Sequence, residues 1–310
     1  MKLSYLHHIV AVAERGSLRA AARHLGIAQP AITRSIRELE RELGVTLCER
    51  RPKGVVLTPM GELFLKRAIT ILGELRRGRE EIDQARGMTT GRVAVALSSA
   101  AQIALLPRAL AKFRTRYPDV FLSIHEGLFP AVEARLKDGE FDFYVGPLPE
   151  HTPTKDLVVD KLFDNKRIIL ARRGHPLAGA TSLRELANAR WIGTSVTQDS
   201  AAELGPIFQA LGLPSPVIEM TLPSGPATTQ AVVNSDLLVM VPEQWLGVSL
   251  ASDTLMALPI MEPLPAPPIC MVTRVLMPLT PAAQHFADLL QRASLQYVRE
   301  RQEQGVAAMP

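Results

Sequence analysis

The chain has 310 residues, 47% of them hydrophobic and 21% charged, with a formal net charge of +4. That is more apolar material than one core uses and enough for two domains. No apolar run approaches the roughly 20 residues of a membrane-spanning helix, and the opening MetLysLeuSerTyrLeuHisHis is too polar for a secretory leader, so a cytoplasmic protein with no membrane partner is expected.

Charge is uneven along the chain. Residues 1–90 hold 16 Lys or Arg against 10 Asp or Glu, which assigns a polyanionic partner to this part. Within it, Ser17 to Leu43 reads as two short helices joined by a turn. Ser17 suits an N-cap, Ala20, Ala21 and Leu25 form a narrow apolar stripe, and Gly26 can take the left-handed conformation that ends a helix. In the second helix Pro30 occupies a tolerated first-turn position, and Ile32, Ile36, Leu39 and Leu43 recur at helical spacing, so these four are expected to face the core. The opposite face carries Gln29, Thr33, Arg34, Arg37 and Arg41, which offer amide, hydroxyl and guanidinium donors to base edges and phosphates. Such a pair is the smallest common reader of double-stranded DNA, although any helical hairpin with a solvated basic face shows the same pattern.

Residues 50 to 58 contain two short extended pieces around Lys53-Gly54, as in a β-wing that carries Arg50, Arg51 and Lys53 to the DNA backbone. Thr58-Pro59 then caps a long helix. In it Gly61, Phe64, Ala68, Ile71, Leu75, Gly78, Ile82 and Ala85 recur by three and four, a seam suited to pairing two chains, with Phe64, Ala68, Ile71, Leu75 and Ile82 as the expected dimerisation contacts. Arg76, Arg77 and Arg79 lie farther along the helix and read as a solvated surface rather than a DNA site.

The run AARHLGIAQPAITRSIRELERELG, residues 21 to 44, followed by Leu47, Arg50, Leu57-Thr58 and Gly61, closely resembles the N-terminal domain of LysR-type transcriptional regulators. The remaining chain resembles that family more loosely, in length and layout. Ala28 stands where the family often has a serine cap, and Cys48 where it often has phenylalanine. The resemblance implies a winged helix-turn-helix over 1–58 that contacts DNA through Gln29, Pro30, Thr33, Arg34, Arg37, Arg50, Arg51 and Lys53, a linker helix over 59–90, and a periplasmic-binding-protein-like effector domain over 91–310. It further implies a homo-oligomer, a dimer of dimers, with effector domains associating near Leu105 to Phe113, and it suggests the branch that regulates aromatic-compound catabolism.

From Gly91 onward strands alternate with helices, the mark of an α/β domain. Strand 92–97, helix Gln102 to Arg116, strand Val120 to Glu126, a helix near 131–137 and strand 141–146 make one doubly wound half, bounded as 91–163 with 267–303. A second half, 164–266, has strands near 167–170, 191–193, 217–220 and 237–241. ProLeuProAlaProPro, residues 263 to 268, reads as the return crossing, and Thr280-Pro281 begins a C-terminal helix. Two halves joined by two crossings form a cleft, the usual ligand position in such folds. Ser98 and Ser99, then Thr194, Ser195 and Thr197, then Ser224, Gly225, Pro226 and Thr228 each stand where a helix start could offer hydroxyls and N–H groups to an anion, with ordinary capping as the alternative. Leu128, Phe129, Val196 and Phe143 are the expected apolar neighbours, which suits an aromatic carboxylate or sulfonate; a non-aromatic metabolite is the alternative ligand.

An enzyme or an exported solute-binding protein are the rival readings. His125-Glu126 would point to opposite faces of a strand, His7-His8 and His175 lack ligand partners at metal spacing, and neither a Gly-rich phosphate loop nor Gly-x-Ser-x-Gly occurs. No catalytic residue, metal or cofactor is therefore expected. Cys48 and Cys270 have no zinc spacing and read as packed or idle thiols.

Overall fold

The structure, a computed structural model, describes residues 1–52, 54–129, 131–149, 152, 155–194, 201–247 and 253–307. It divides into two compact units, Met1–Met88 with Lys137–Glu140, and Thr89–Leu136 with Phe141–Pro310.

The first unit begins with α1 (Leu3–Arg15), α2 (Leu18–Leu25) and α3 (Gln29–Leu43). Ser17 caps α2 by accepting the Ala20 N–H at 3.1 Å, and Gly26, at φ +67°, ends it in the region that side chains avoid. Ala28 gives α3 no side-chain cap, and Pro30 sits in its first turn. The core joins Leu6, Ile9 and Val12 of α1 to Ala21 and Ala22 of α2 and to Ile32, Ile36 and Leu39 of α3. Ala22 rather than Ala20 is the second buried alanine, because α2 lies between two neighbours and turns that face inward. Leu43, expected in the core, is 39% exposed, on the last turn of α3.

Strands β1 (Cys48–Arg51) and β2 (Gly54–Leu57) pair antiparallel with Arg51 opposite Gly54, giving the expected wing. A carboxylate of α3 fixes it: Glu40 accepts the N–H groups of Leu47 at 2.8 Å and Cys48 at 3.1 Å. Helix α4 (Pro59–Ala85) is capped by Thr58, whose hydroxyl accepts the Gly61 N–H at 3.0 Å and donates to the Thr46 carbonyl at 2.6 Å. Gly61 is obligatory there, since a Cβ would stand 2.1 Å from the Leu47 carbonyl oxygen. The seam on α4 thus splits. Ala68 is fully buried and Phe64 partly buried in this chain's own helix-turn-helix core, so these two are not free for a partner chain, whereas Ile71, Leu75 and Ile82 remain exposed.

The second unit holds two five-stranded sheets. The first has the order β4-β3-β5-β12-β6, from β3 (Gly91–Leu97), β4 (Val120–Glu126), β5 (Phe143–Pro147), β6 (Leu157–Phe163) and β12 (Ile269–Arg274), with β12 antiparallel to both neighbours. Helices α5 (Ser99–Arg116) and α9 (Pro281–Ala307) cover one face, where Phe113, Phe143 and Phe286 form the aromatic centre; α6 (Glu133–Lys137) and Phe129 cover the other, over Tyr144. The second sheet, β11-β7-β10-β8-β9, is built from β7 (Arg167–Arg172), β8 (Arg190–Gly193), β9 (Val217–Thr221), β10 (Leu238–Pro242) and β11 (Leu255–Ala257), flanked by α7 (Ala201–Ala210) and α8 (Gly225–Val233). Strands β6, β11 and β12 were not expected from the sequence. In the stretch expected to mediate association, Leu105 to Phe113, one side of the helix, Leu105, Ala109 and Phe113, is fully buried in this unit's own core, while Pro107, Leu110, Ala111 and Lys112 are exposed.

Candidate DNA interface and effector cleft

One face of α3 gathers Gln29, Pro30, Thr33, Arg34, Arg37, Glu38 and Arg41 around a single shallow depression. Helical spacing places these residues together because Ile32, Ile36 and Leu39 take the inward positions. Gln29, Pro30, Arg34, Arg37 and Arg41 are exposed and Thr33 is half-buried, so polar donors reach outward from a helix whose opposite side is fully anchored. Arg51 is exposed on β1 and pairs with Glu49 at 3.2 Å. Arg50 lies in β1, its side chain outside the described part of the structure, and Lys53 lies outside the described residues. Sequence reasoning missed the roles of Glu40, which ties the wing to α3, and of Tyr5, which donates to Glu38 across the helix pair. Both follow from tertiary approach rather than from spacing. Cys48 sits half-buried beside Glu40, its thiol pushed up to about 11 by burial and by Glu40, so it stays protonated near neutrality; burial raises the Cys270 thiol as well.

Between the two sheets of the second unit lies a chamber of about 270 Å³, lined by Ser98, Ser99, Leu128, Thr194, Gly225 and Thr228 of the expected residues. It receives the start of α5, the ends of β8 and β10, and the segments by which the chain crosses between halves. The two serines differ in role. Ser98 is buried and caps α5, accepting the Ala101 N–H at 3.2 Å; Ser99 is half-exposed and accepts the Trp245 indole N–H at 3.4 Å, which leaves its own O–H available to donate. Thr228 is buried with its hydroxyl donated to the Leu222 carbonyl at 3.2 Å, so it shapes the wall. Ser224 is exposed, makes no side-chain cap and does not line the chamber, because α8 begins with its cap turned to solvent. Phe143 is fully buried on the α5–α9 side of its sheet and cannot meet a ligand; the alternation of β5 sends it away from the cleft. Phe129 does line the chamber. Ser195, Val196 and Thr197 lie outside the described residues.

Among the further lining residues that the sequence did not mark for the cleft are Glu126, Asn165, Arg167 and Trp245. Partial burial pushes the Glu126 carboxyl above the usual carboxylate range. Its neighbour His125 turns to the other face, against Ser123 and the Phe141 ring, as strand alternation expects. The Asn165 Oδ1 is buried without a hydrogen-bond partner, so a donor placed beside it gains a bond at little desolvation cost. Position after the crossing was the available signal for Asn165 and Arg167. Among the described residues no group of three His, Cys, Asp or Glu is placed to hold a metal ion, and no helix is long and apolar enough to cross a membrane.

A winged helix-turn-helix followed by a cleft between two α/β halves defines a ligand-responsive DNA-binding protein. Comparison with known proteins agrees: residues 3–62 match the bacterial regulatory helix-turn-helix proteins of the lysR family, and residues 86–294 match the LysR substrate binding domain. The chain belongs to the LysR family of transcriptional regulators. It is 28% identical to the HTH-type transcriptional regulator TdcA of Escherichia coli (strain K12) over 256 residues, 82% of this chain and 81% of that one. It is 31% identical to the SDS degradation transcriptional activation protein of Pseudomonas sp. (strain ATCC 19151) over 244 residues, 77% and 78% of the two chains. The fold is also that of CbnR, a LysR family transcriptional regulator, whose crystal structure superposes with a TM-score of 0.70 at 23% identity over 95% of this chain and 99% of that chain.

Proposed function

We propose that this LysR-type regulator responds to a small organic anion, an aromatic carboxylate or sulfonate, bound in the chamber between its effector halves. The observation that carries the reading is the division of labour at the start of α5: Ser98 caps the helix, and Ser99 stands beside the same helix terminus with a hydroxyl proton to give. A helix N-terminus favours negative charge by roughly 0.3 to 1 kcal/mol, and Arg167 adds a cation to the lining. Phe129 and Trp245 supply ring faces for an apolar body. Gln29, Pro30, Thr33, Arg34 and Arg37 read the major groove, while Arg50, Arg51 and Lys53 ride the backbone. Exposed Ile71, Leu75 and Ile82 pair two chains through α4, and a dimer of dimers in the cytoplasm is the working form. The protein performs no catalysis; the ligand acts by binding one arrangement of the two halves more tightly than another. A thermal-shift screen of small acids on the full-length protein tests this reading. An aromatic carboxylate or sulfonate should raise the melting temperature, and Ser99→Ala should weaken its binding by one to two decades. Equal affinity in wild type and Ser99→Ala would move the anion site elsewhere.

A further inference from the structure

Arg77 reads from the sequence as part of a solvated surface, yet it is 4% exposed. It shares one face of α4 with Thr70 and Glu74, roughly a third of a turn around the helix from exposed Ile71, Leu75 and Ile82. That face holds a turn from far along the chain, because the first unit includes Lys137–Glu140. The Thr70 hydroxyl approaches the Asp138 carbonyl at 2.9 Å, and the Arg77 guanidinium donates to the Gly139 carbonyl at 2.8 Å. Glu74 orients the guanidinium, accepting from its Nε at 2.8 Å and from Nη2, and so offsets the cost of burying the charge. Gly139 is buried at φ +77°, a backbone conformation that side chains avoid, so glycine is what lets the turn take this shape.

The same turn continues a wall of the ligand chamber. Leu128 and Phe129 line the chamber, Phe129 packs edge-on against Tyr144 with ring centres 4.9 Å apart, and Val132 and Leu136 join the same core. From there the chain runs through α6 into Asp138 and Gly139, ten positions beyond Phe129. We infer that Thr70 and Arg77 are positioning residues that latch the chamber-lining segment to α4, so that occupancy of the chamber and the state of the linker helix bias each other through α6. The inference rests on the reading of the chamber as the effector site, whatever the charge of the ligand. A ligand that shifts Phe129 acts on a turn whose two carbonyls are bonded to α4, and by linkage a change in α4 acts back on the chamber.

Occupying the chamber covalently tests the latch without the natural ligand. Full-length Ser99→Cys is labelled with 2-carboxyethyl methanethiosulfonate or with its neutral 2-hydroxyethyl counterpart, and wild type treated alike controls for Cys48 and Cys270. Hydrogen exchange is then followed by mass spectrometry in residues 126–136 and in α4. Labelling should change exchange in both segments, by about fivefold or more between Thr70 and Arg77. The change in α4 should diminish with Thr70→Val and vanish with Arg77→Met, while the change in 126–136 persists; Thr70→Val decides the matter if Arg77→Met fails to fold. A change in 126–136 with none in α4 would overturn the latch and leave the chamber standing. A change in α4 as large in the latch variants as in their parent would overturn it also. An equal response to the two labels upholds the latch and counts against the acid reading alone, and no response in either segment would overturn the latch and the chamber together.

Discussion

Ser98 and Ser99 are adjacent, chemically identical and close to the same ligand chamber, yet their substitution by alanine should have different consequences. Ser98 is 2% exposed and its hydroxyl accepts the N–H of Ala101, which is itself fully buried. Removing that oxygen leaves a buried donor unpaired at the first turn of α5, a loss of about 1 to 2 kcal/mol. For a unit of this size each kcal/mol lowers the melting temperature by roughly 2 to 4 °C, so Ser98→Ala should melt about 2 to 8 °C below wild type. The Cβ remains, so no cavity opens beneath Gly146, which packs over it. Ser99→Ala loses only a long contact with Trp245 and should melt close to wild type, while acid binding weakens by one to two decades. Differential scanning calorimetry read beside ligand titration separates the two effects. The reasoning fails if Ser98→Ala melts like wild type, or if the two variants lose ligand affinity equally.

At the DNA interface, Arg34→Ala should weaken binding to a specific site more than binding to bulk DNA, whereas Arg51→Ala or Lys53→Ala should weaken both alike and reduce the salt slope by about one ion; equal losses in all three variants by fluorescence anisotropy would contradict that division. Leu75→Asp puts a charge among the exposed apolar residues of α4 and should yield monomers in sedimentation velocity, with DNA affinity falling because two half-sites are no longer held together; a variant that stays dimeric removes α4 from the assembly. Burial raises the Glu126 carboxyl above its unfolded value, so in the window between the two the folded protein keeps a proton that the unfolded chain has released, and stability falls as pH rises through it. An anion in the chamber then meets a negative Glu126 only above that window. Glu126→Gln should tighten acid binding near neutrality and flatten its pH dependence, and titration at several pH values that finds wild type and variant parallel would dismiss the effect.

The N-terminal unit was legible because its information is local. A cap at Ser17, a left-handed Gly26 and apolar residues at helical spacing specify two helices within one short stretch, and the inward residues fix which side of α3 faces out. What spacing could not specify was the partner of each face. On α4 the same three-and-four pattern serves this chain's own core at Phe64 and Ala68 and leaves Ile71, Leu75 and Ile82 outside it; small residues at Gly61 and Ala68 were the signal that a backbone or helix approaches closely. In the effector unit β12 was missed although Ile269 to Val272 is a continuous apolar run, the pattern of a strand buried on both faces. The prolines before it marked a crossing, and a strand returning to lie between β5 and β6 is a non-local pairing. The cleft was legible as helix starts after strands. Capping and ligand binding use the same hydroxyls, so separating Ser98 from Ser99 required the hydrogen bonds themselves, and Phe143 was misplaced because a strand buried on both faces hides which side reaches the cleft.

Selection of DNA by the intact protein bears most directly on the central claim. Purified full-length protein mixed with sheared genomic DNA from its source, followed by sequencing of the retained fragments, should enrich a small set of sites that share an inverted repeat, as two α3 helices related by a two-fold axis require. The Arg34→Ala variant should lose that enrichment while still retaining DNA at low salt. Retention of all fragments in proportion to their abundance, identical for wild type and Arg34→Ala, would contradict the assignment of the α3 face as a sequence reader.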